Sequence, residues 1–254
     1  MAVNYIILGI VQGITEFLPI SSSAHLVILQ HLMKIKQPVL LDCLLHLATL
    51  LVVVIFLSDR IKHTLTSLFN KDKEAINLTK MFLAATASTG VVGLLFYKIF
   101  ERAFEMPKIT GLFLIITGVL LREAYFRKTT QKKEYRILDA VAVGIAQGLA
   151  ILPGISRVGA TVSVALILGW EREKAGEFSF LISIPAIVAA VMVKFKDIFS
   201  ENITNIILVL ASMIAALITG MVSINYFWKT LITRRWIIFS VYCMVVGAFI
   251  FLLL

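Results

Sequence analysis

A chain of 254 residues that is 59% hydrophobic and only 15% charged, with a mean hydropathy of +0.95, is too apolar for a soluble domain, because soluble domains run about half apolar and roughly a quarter charged. Its net charge of +9 does not mark a nucleic-acid binder, since most Lys and Arg sit in short loops between apolar runs and no basic patch is interleaved with aromatics. Cys43 and Cys243 lie inside apolar runs with no pairing or metal spacing, so they read as small buried hydrophobes.

Long apolar runs predict helices rather than the alternating strands of a barrel. The first element, near 2–33, is broken midway by Pro19 and Ser21-Ser22-Ser23, so each half is too short to cross a bilayer. It reads as a re-entrant helical hairpin, a shape allowed in a membrane only where protein or a wet cavity lines the break. It has no basic leading region and no small-residue cleavage site, so a cleavable signal peptide is not expected. Uninterrupted runs of about 20 residues, enough to span a bilayer, follow near 39–58, 78–100 and 107–126. A second broken segment near 137–169 carries Pro153 and a Gly-rich turn and reads as a second hairpin. Runs near 176–193, 203–223 and 236–254 complete six spans.

The predicted fold class is therefore an all-α polytopic membrane protein: one integral domain over 1–254, built from repeats at 1–128 and 136–254. The repeat is visible in residues. Gln12-Gly13 lines up with Gln147-Gly148 at an offset of 135, and after one deletion Pro19 and Ser22 line up with Pro153 and Ser156 at an offset of 134. Ser23 then occupies the register position of Arg157. Three spans per half is odd, so the second half is expected upside down, with the two broken segments meeting near the midplane. Charge gives independent support. Loops near 59–80, 122–136, 170–174 and 229–235 hold sixteen Lys and Arg, while the opposite face holds seven: Lys34, Lys36, Lys98, Arg102, Lys108, Lys194 and Lys196. The richer face is expected to be cytoplasmic, so the first hairpin enters from outside and the second from the cytoplasm.

A carboxylate, three hydroxyls and an imidazole stand in the first broken segment as Glu16, Ser21, Ser22, Ser23 and His25, and the second adds Arg157. Polar groups in hydrocarbon cost several kcal/mol unless a partner or water satisfies them, so two such clusters point to one shared site. Arg157 reads either as an ion pair with Glu16 that locks the halves together or as an anion clamp, its planar fork holding phosphate beside the backbone N–H groups of the turn at Gly154 and Gly159. Serine runs also serve as N-caps, but the trio with Glu16 and His25 favours chemistry. Gln12 falls four residues before Glu16, on the same helix face. Together they can hold a hard cation, Mg2+ or Ca2+, or orient His25. His46 reads as a structural histidine in an apolar run, and Glu177 and Ser179 as caps or cavity-lining groups.

These residues resemble a known family. The string QGITEFLPISSSAH is similar to the first signature of the undecaprenyl-diphosphate phosphatase (bacitracin-resistance) family, with Gln12 and Glu16 at its Glu/Gln and Glu positions. LPGISRVGAT resembles the second, and further similarity runs through 41–50 and 177–185. Val158 stands where the family usually has Ser, Ala24 where Gly is common, and Gln12 lacks a carboxylate that some members carry. The resemblance implies hydrolysis of a polyprenyl diphosphate to the monophosphate in the plasma membrane, recycling a lipid carrier for cell-envelope sugars. It implies catalytic roles for Ser22, His25, Glu16 and Arg157. Ser22 is the candidate nucleophile with His25 as base, and attack by His25 or by a water it activates is the alternative. Substrate contacts are expected from Gln12, Ser21, Ser23, Gly154, Ser156 and Thr161, with apolar cavity walls taking the prenyl tail; the membrane bilayer is the expected surrounding, and exposed helix faces allow a homodimer without requiring one. The rival reading is a transporter or flippase of an anionic polyprenyl lipid, since inverted repeats with broken helices are also a transporter architecture.

Overall fold

A computed structural model describes residues 2–33, 39–104, 106–127, 135–193 and 206–253. The expected loop charges Lys34, Lys36, Lys128, Lys132, Lys133, Lys194 and Lys196 lie outside them. The described residues are all-helical, in twelve helices: α1 Ala2–Phe17, α2 Ser22–Met33, α3 Val39–Phe56, α4 Ser58–Phe69, α5 Lys73–Leu95, α6 Tyr97–Phe104, α7 Pro107–Phe126, α8 Ile137–Leu149, α9 Arg157–Ile167, α10 Arg172–Val193, α11 Ile206–Ile232 and α12 Ile237–Leu253.

Local chemistry sets the ends. Asp72 caps α5 by accepting the Ala75 N–H at 2.9 Å, Asp139 reaches back to the Arg136 N–H at 3.0 Å to open α8, and Ser156 caps α9 by accepting the Gly159 N–H at 3.1 Å. Pro107 takes the first position of α7, where its missing N–H costs nothing. Pro185 interrupts the ladder of α10, and the Ser183 hydroxyl and Gln147 amide donate to carbonyls a turn earlier, at Phe180 and Ile182.

Helices α5, α7, α10 and α11 are long and apolar enough to cross a membrane, and α3 with α4 forms a fifth candidate bent by 63° at Leu57. The expected run near 236–254 is helix α12 of 17 residues, about 26 Å at 1.5 Å per residue and short for a hydrocarbon core of about 30 Å. Two boundaries differ from expectation. The run near 78–100 begins earlier, at Lys73, and breaks at Phe96 before the separate helix α6; the expected loop over 59–80 contains α4. Apolar content measures how much chain is greasy, and α4 is amphipathic with no buried residue, so hydropathy alone passes over it.

Packing is tightest where glycines let backbones touch. α7 lies along α12, and a Cβ at Gly111 would meet the Gly247 carbonyl oxygen at 2.8 Å. α1 runs parallel to α11, with Gly9 against Ser212 and Gly13 against Ala216; α8 runs parallel to α5, with Gly144 against Ala85 and Gly148 against Val92. Small residues at such contacts are the usual means of close approach between membrane helices. Between these pairs sits an aromatic column in which Phe180 makes edge contacts with Phe17, Phe56 and Phe227. Large apolar side chains such as Leu94, Leu95, Phe249 and Leu252 face outward.

Candidate active site at the two helix breaks

The two breaks lie against each other. Between α1 and α2 the chain turns through Leu18-Pro19-Ile20-Ser21, and Ser21 takes a left-handed φ of 67°, an uncommon conformation for a non-glycine residue. The contacts of Ser21 hold it there. Its Oγ accepts the Gly154 N–H from the other break at 3.2 Å and shares a hydrogen bond with Ser23 Oγ at 3.1 Å. Gly154 has φ of 105°, and a Cβ there would run into the Thr110 carbonyl oxygen, so only glycine fits. Thr117 on α7 fastens both sides of this second turn: its hydroxyl donates to the Gly154 carbonyl at 2.9 Å and accepts the Ser156 N–H at 3.0 Å.

Glu16 is the hub. Arg157 Nη2 donates to Oε1 at 2.8 Å, while Oε2 accepts from Ser22 Oγ at 2.6 Å and from Gln12 Nε2 at 3.1 Å. His46 Nε2 stands 3.9 Å from the same Oε2. His46 Nδ1 lies 2.8 Å from the Asp42 carbonyl, which only accepts, so Nδ1 carries a hydrogen. Two polar atoms at the hub, Arg157 Nη1 and Gln12 Oε1, are buried without a hydrogen-bond partner among the described residues. An unmet guanidinium nitrogen in an apolar interior is costly unless a ligand meets it.

The sequence-predicted residues divide into those at the hub and those that support it. Glu16, Ser22, Arg157 and Gln12 converge. Ser21, Ser23 and Gly154 make the contact between the breaks. Ser156 is occupied as the cap of α9. Thr161 is fully buried, donates to the Arg157 carbonyl at 2.8 Å and pairs with Ser179 Oγ at 2.6 Å, so both brace the arginine's turn. Glu177 pairs with Arg60 at 3.3 Å on a separate cavity of about 370 Å³.

The expected pairing of Ser22 with His25 is not made. Ser22 turns back to Glu16, and the His25 ring lies between the Ser21 carbonyl, 2.7 Å from Nδ1, and the Tyr242 hydroxyl, 2.7 Å from Nε2. Glu16 correspondingly faces His46 rather than orienting His25. Sequence reasoning missed Thr117 and Tyr242 and gave His46 a merely structural part. A lone Thr, Tyr or His in an apolar helix carries no local signal; only the tertiary contact gives it meaning. For the expected Mg2+ or Ca2+, the hub offers the Glu16 carboxylate and the free Gln12 amide oxygen, so the remaining ligands would have to come from substrate phosphates or water. Among the described residues no three His, Cys, Asp or Glu side chains group to hold an ion. One carboxylate already engaged by three donors and one free amide oxygen do not build the six to eight oxygens that Ca2+ takes.

Residues 5–249 match the family described as bacitracin resistance protein BacA. Relatives named undecaprenyl-diphosphatase include that of Halothermothrix orenii, 39% identical over 98% of this chain and 96% of its own. Those of Carboxydothermus hydrogenoformans, 39% identical over 98% and 95%, and Treponema denticola, 38% identical over 95% and 93%, are similarly close.

Proposed function

The chain belongs to the BacA family of bacitracin resistance proteins, and from that premise we propose that it hydrolyses an undecaprenyl-type diphosphate to the monophosphate and inorganic phosphate. In this reading it works in the plasma membrane and returns a lipid carrier to cell-envelope glycan synthesis. The observation that carries the reading is Arg157. One nitrogen holds Glu16, which also accepts from the Ser22 hydroxyl, and the other is buried with no hydrogen-bond partner among the described residues. A phosphate oxygen satisfies that nitrogen, and a guanidinium stabilises the charge that develops in phosphoryl transfer.

The proposed chemistry follows the bonds. Ser22 Oγ attacks the terminal phosphorus while its proton passes to Glu16, 2.6 Å away. The bond to the bridging oxygen breaks, and the prenyl monophosphate leaves with that electron pair, stabilised by Arg157. Water then attacks the phosphoserine, its proton going to His25 Nε2 once that atom is uncovered; the Ser22 Oγ–P bond breaks, the serine oxygen takes its proton back from Glu16, and phosphate departs. If Mg2+ or Ca2+ takes part, it enters with the diphosphate, since Glu16 and Gln12 alone give too few oxygens.

The proposed architecture is a six-span inverted repeat with two re-entrant hairpins. Two features support it: α1 runs parallel to α11 of the second half while α8 runs parallel to α5 of the first. The exchange is what a two-fold axis in the membrane plane produces.

The direct test is purified protein in detergent given a long-chain prenyl diphosphate. Release of inorganic phosphate is expected, with a phosphoserine at Ser22 trapped on rapid acid quench. Binding of the lipid without phosphate release would instead favour the transporter reading, which has no use for the Ser22–Glu16 bond.

A further inference from the structure

Tyr242 lies on α12, far in sequence from both signature stretches, yet its hydroxyl is 2.7 Å from His25 Nε2, with the two rings nearly parallel (9° between their planes) and their centroids 5.8 Å apart. The other ring nitrogen, Nδ1, faces the Ser21 carbonyl at 2.7 Å. A carbonyl oxygen only accepts, so Nδ1 carries the hydrogen and Nε2 the lone pair, and the tyrosine donates to it. The histidine is thus held at both ring nitrogens, and each contact is itself anchored. Ser21 is fixed by its contacts with Gly154 and Ser23. Next to Tyr242, Cys243 Sγ donates to the Pro19 carbonyl at 3.4 Å, so two successive residues of α12 grip the turn and the helix after it. Tyr242 is 37% exposed, which puts the phenol at the open edge of the site.

We infer that Tyr242 is a positioning residue for the proposed phosphatase reaction: it fixes the His25 tautomer and covers Nε2 until a phosphate takes its place. A phenol suits both states of the imidazole. It donates O–H to Nε2 while His25 is neutral. When His25 has taken a proton from the hydrolytic water, the new Nε2–H donates to the phenolic oxygen, which keeps its own hydrogen. No proton is lost or created at tyrosine, and the phenol can bond Nε2 both before the substrate displaces it and after the proton has been taken. The inference rests on the proposed phosphatase reading for its catalytic consequence, while the tautomer and its mask belong to the resting protein.

The test pairs a resting-state readout with kinetics. With nitrogen-15-labelled histidine, the Nε2 signal of His25 should be that of a hydrogen-bonded, unprotonated nitrogen, and Tyr242→Phe, which keeps the ring and removes only the hydroxyl, should shift it. In turnover, Tyr242→Phe should lower kcat about tenfold, the worth of one aligned hydrogen bond, and leave KM within about twofold. In a His25→Ala background the same substitution should cost nothing further, because a residue acting only through histidine has nothing left to act on. An unshifted Nε2 signal overturns the inference, and so does a full tenfold loss in the His25→Ala background. A wild-type protein that shows the expected tautomer but releases no phosphate defeats the phosphatase reading and leaves the Tyr242 contact standing.

Discussion

Arg157 bonds Glu16 through Nη2, while its buried Nη1 has no hydrogen-bond partner among the described residues. Lysine cannot supply both nitrogens, because its ammonium is one compact point of charge without the planar fork. Arg157→Lys is therefore expected to keep the fold and lower phosphate release on the order of 10²–10³, the loss typical of one preorganised charge-stabilising contact; kcat and a melting curve on the same sample check it. Glu16→Gln does something different. It strands a buried arginine, a change that costs about 3–5 kcal/mol when one partner of a buried pair is removed. The melting temperature should drop, and Glu16→Gln with Arg157→Gln should recover much of it without recovering activity. If the double variant melts lower than the single, the pair is not the burden assigned to it. Glu16, Ser22 and Arg157 were legible in the sequence because each is a polar group with no business in hydrocarbon. Their pairing was not. The chain places Ser22 and His25 three residues apart, which suggests a couple, but the turn at Ser21 sends the hydroxyl to Glu16 and the imidazole to Tyr242. Those partners come from the preceding helix and from α12, and no local spacing encodes them.

Helix breaks split into two kinds. Those marked by proline and small residues, at Pro19 and at Pro153-Gly154, were legible because the chemistry that stops a helix is written at the stop. The bend of 63° at Leu57 and the break at Phe96 carry neither Gly nor Pro. They arise where an apolar helix gives way to an amphipathic one, so the change is one of environment rather than backbone preference. Glycines within helices sort in the same way, by what they touch. Gly13 meets the Ala216 carbonyl of α11, and Gly90 in α5 has open space around its missing Cβ. Gly13→Ala should force α1 and α11 apart and lower the melting temperature. Gly90→Ala should be neutral or stabilise by about 0.4–1 kcal/mol, the usual gain from restricting the unfolded chain and favouring helix. Equal effects of the two changes in detergent melts would show that the α1–α11 contact is not packed as described.

One end of the bundle is knit by its basic loops. Arg60 pairs with Glu177 at 3.3 Å, Arg172 donates to the Ile232 carbonyl at 3.2 Å, and Arg234 donates to the Tyr125 carbonyl at 2.9 Å. Tyr135, which leads into α8, packs against Trp170 with ring centroids 4.7 Å apart, so the start of the second helix pair belongs to this end as well. α1 instead begins beside the start of α11, whose last turn reaches the basic end at Ile232, so the first helix pair enters from the opposite side. Charge then fixes which side is which, because Lys and Arg in short loops stay in the cytoplasm. Lys71 sits in the exposed turn between α4 and α5 at the basic end, and Lys108 in the exposed first turn of α7 at the other. Native Cys43 and Cys243 are both buried and leave little background. In intact cells a membrane-impermeant maleimide should label Lys108→Cys and leave Lys71→Cys unlabelled until the membrane is opened. That pattern is the one expected if the first helix pair enters from outside, as the loop charges imply. The reverse labelling pattern would turn the molecule over without disturbing the pairing of α1 with α11 and α8 with α5. Labelling of both positions from outside would put Lys71 and Lys108 on one face, and the opposed entry of the two helix pairs could not stand.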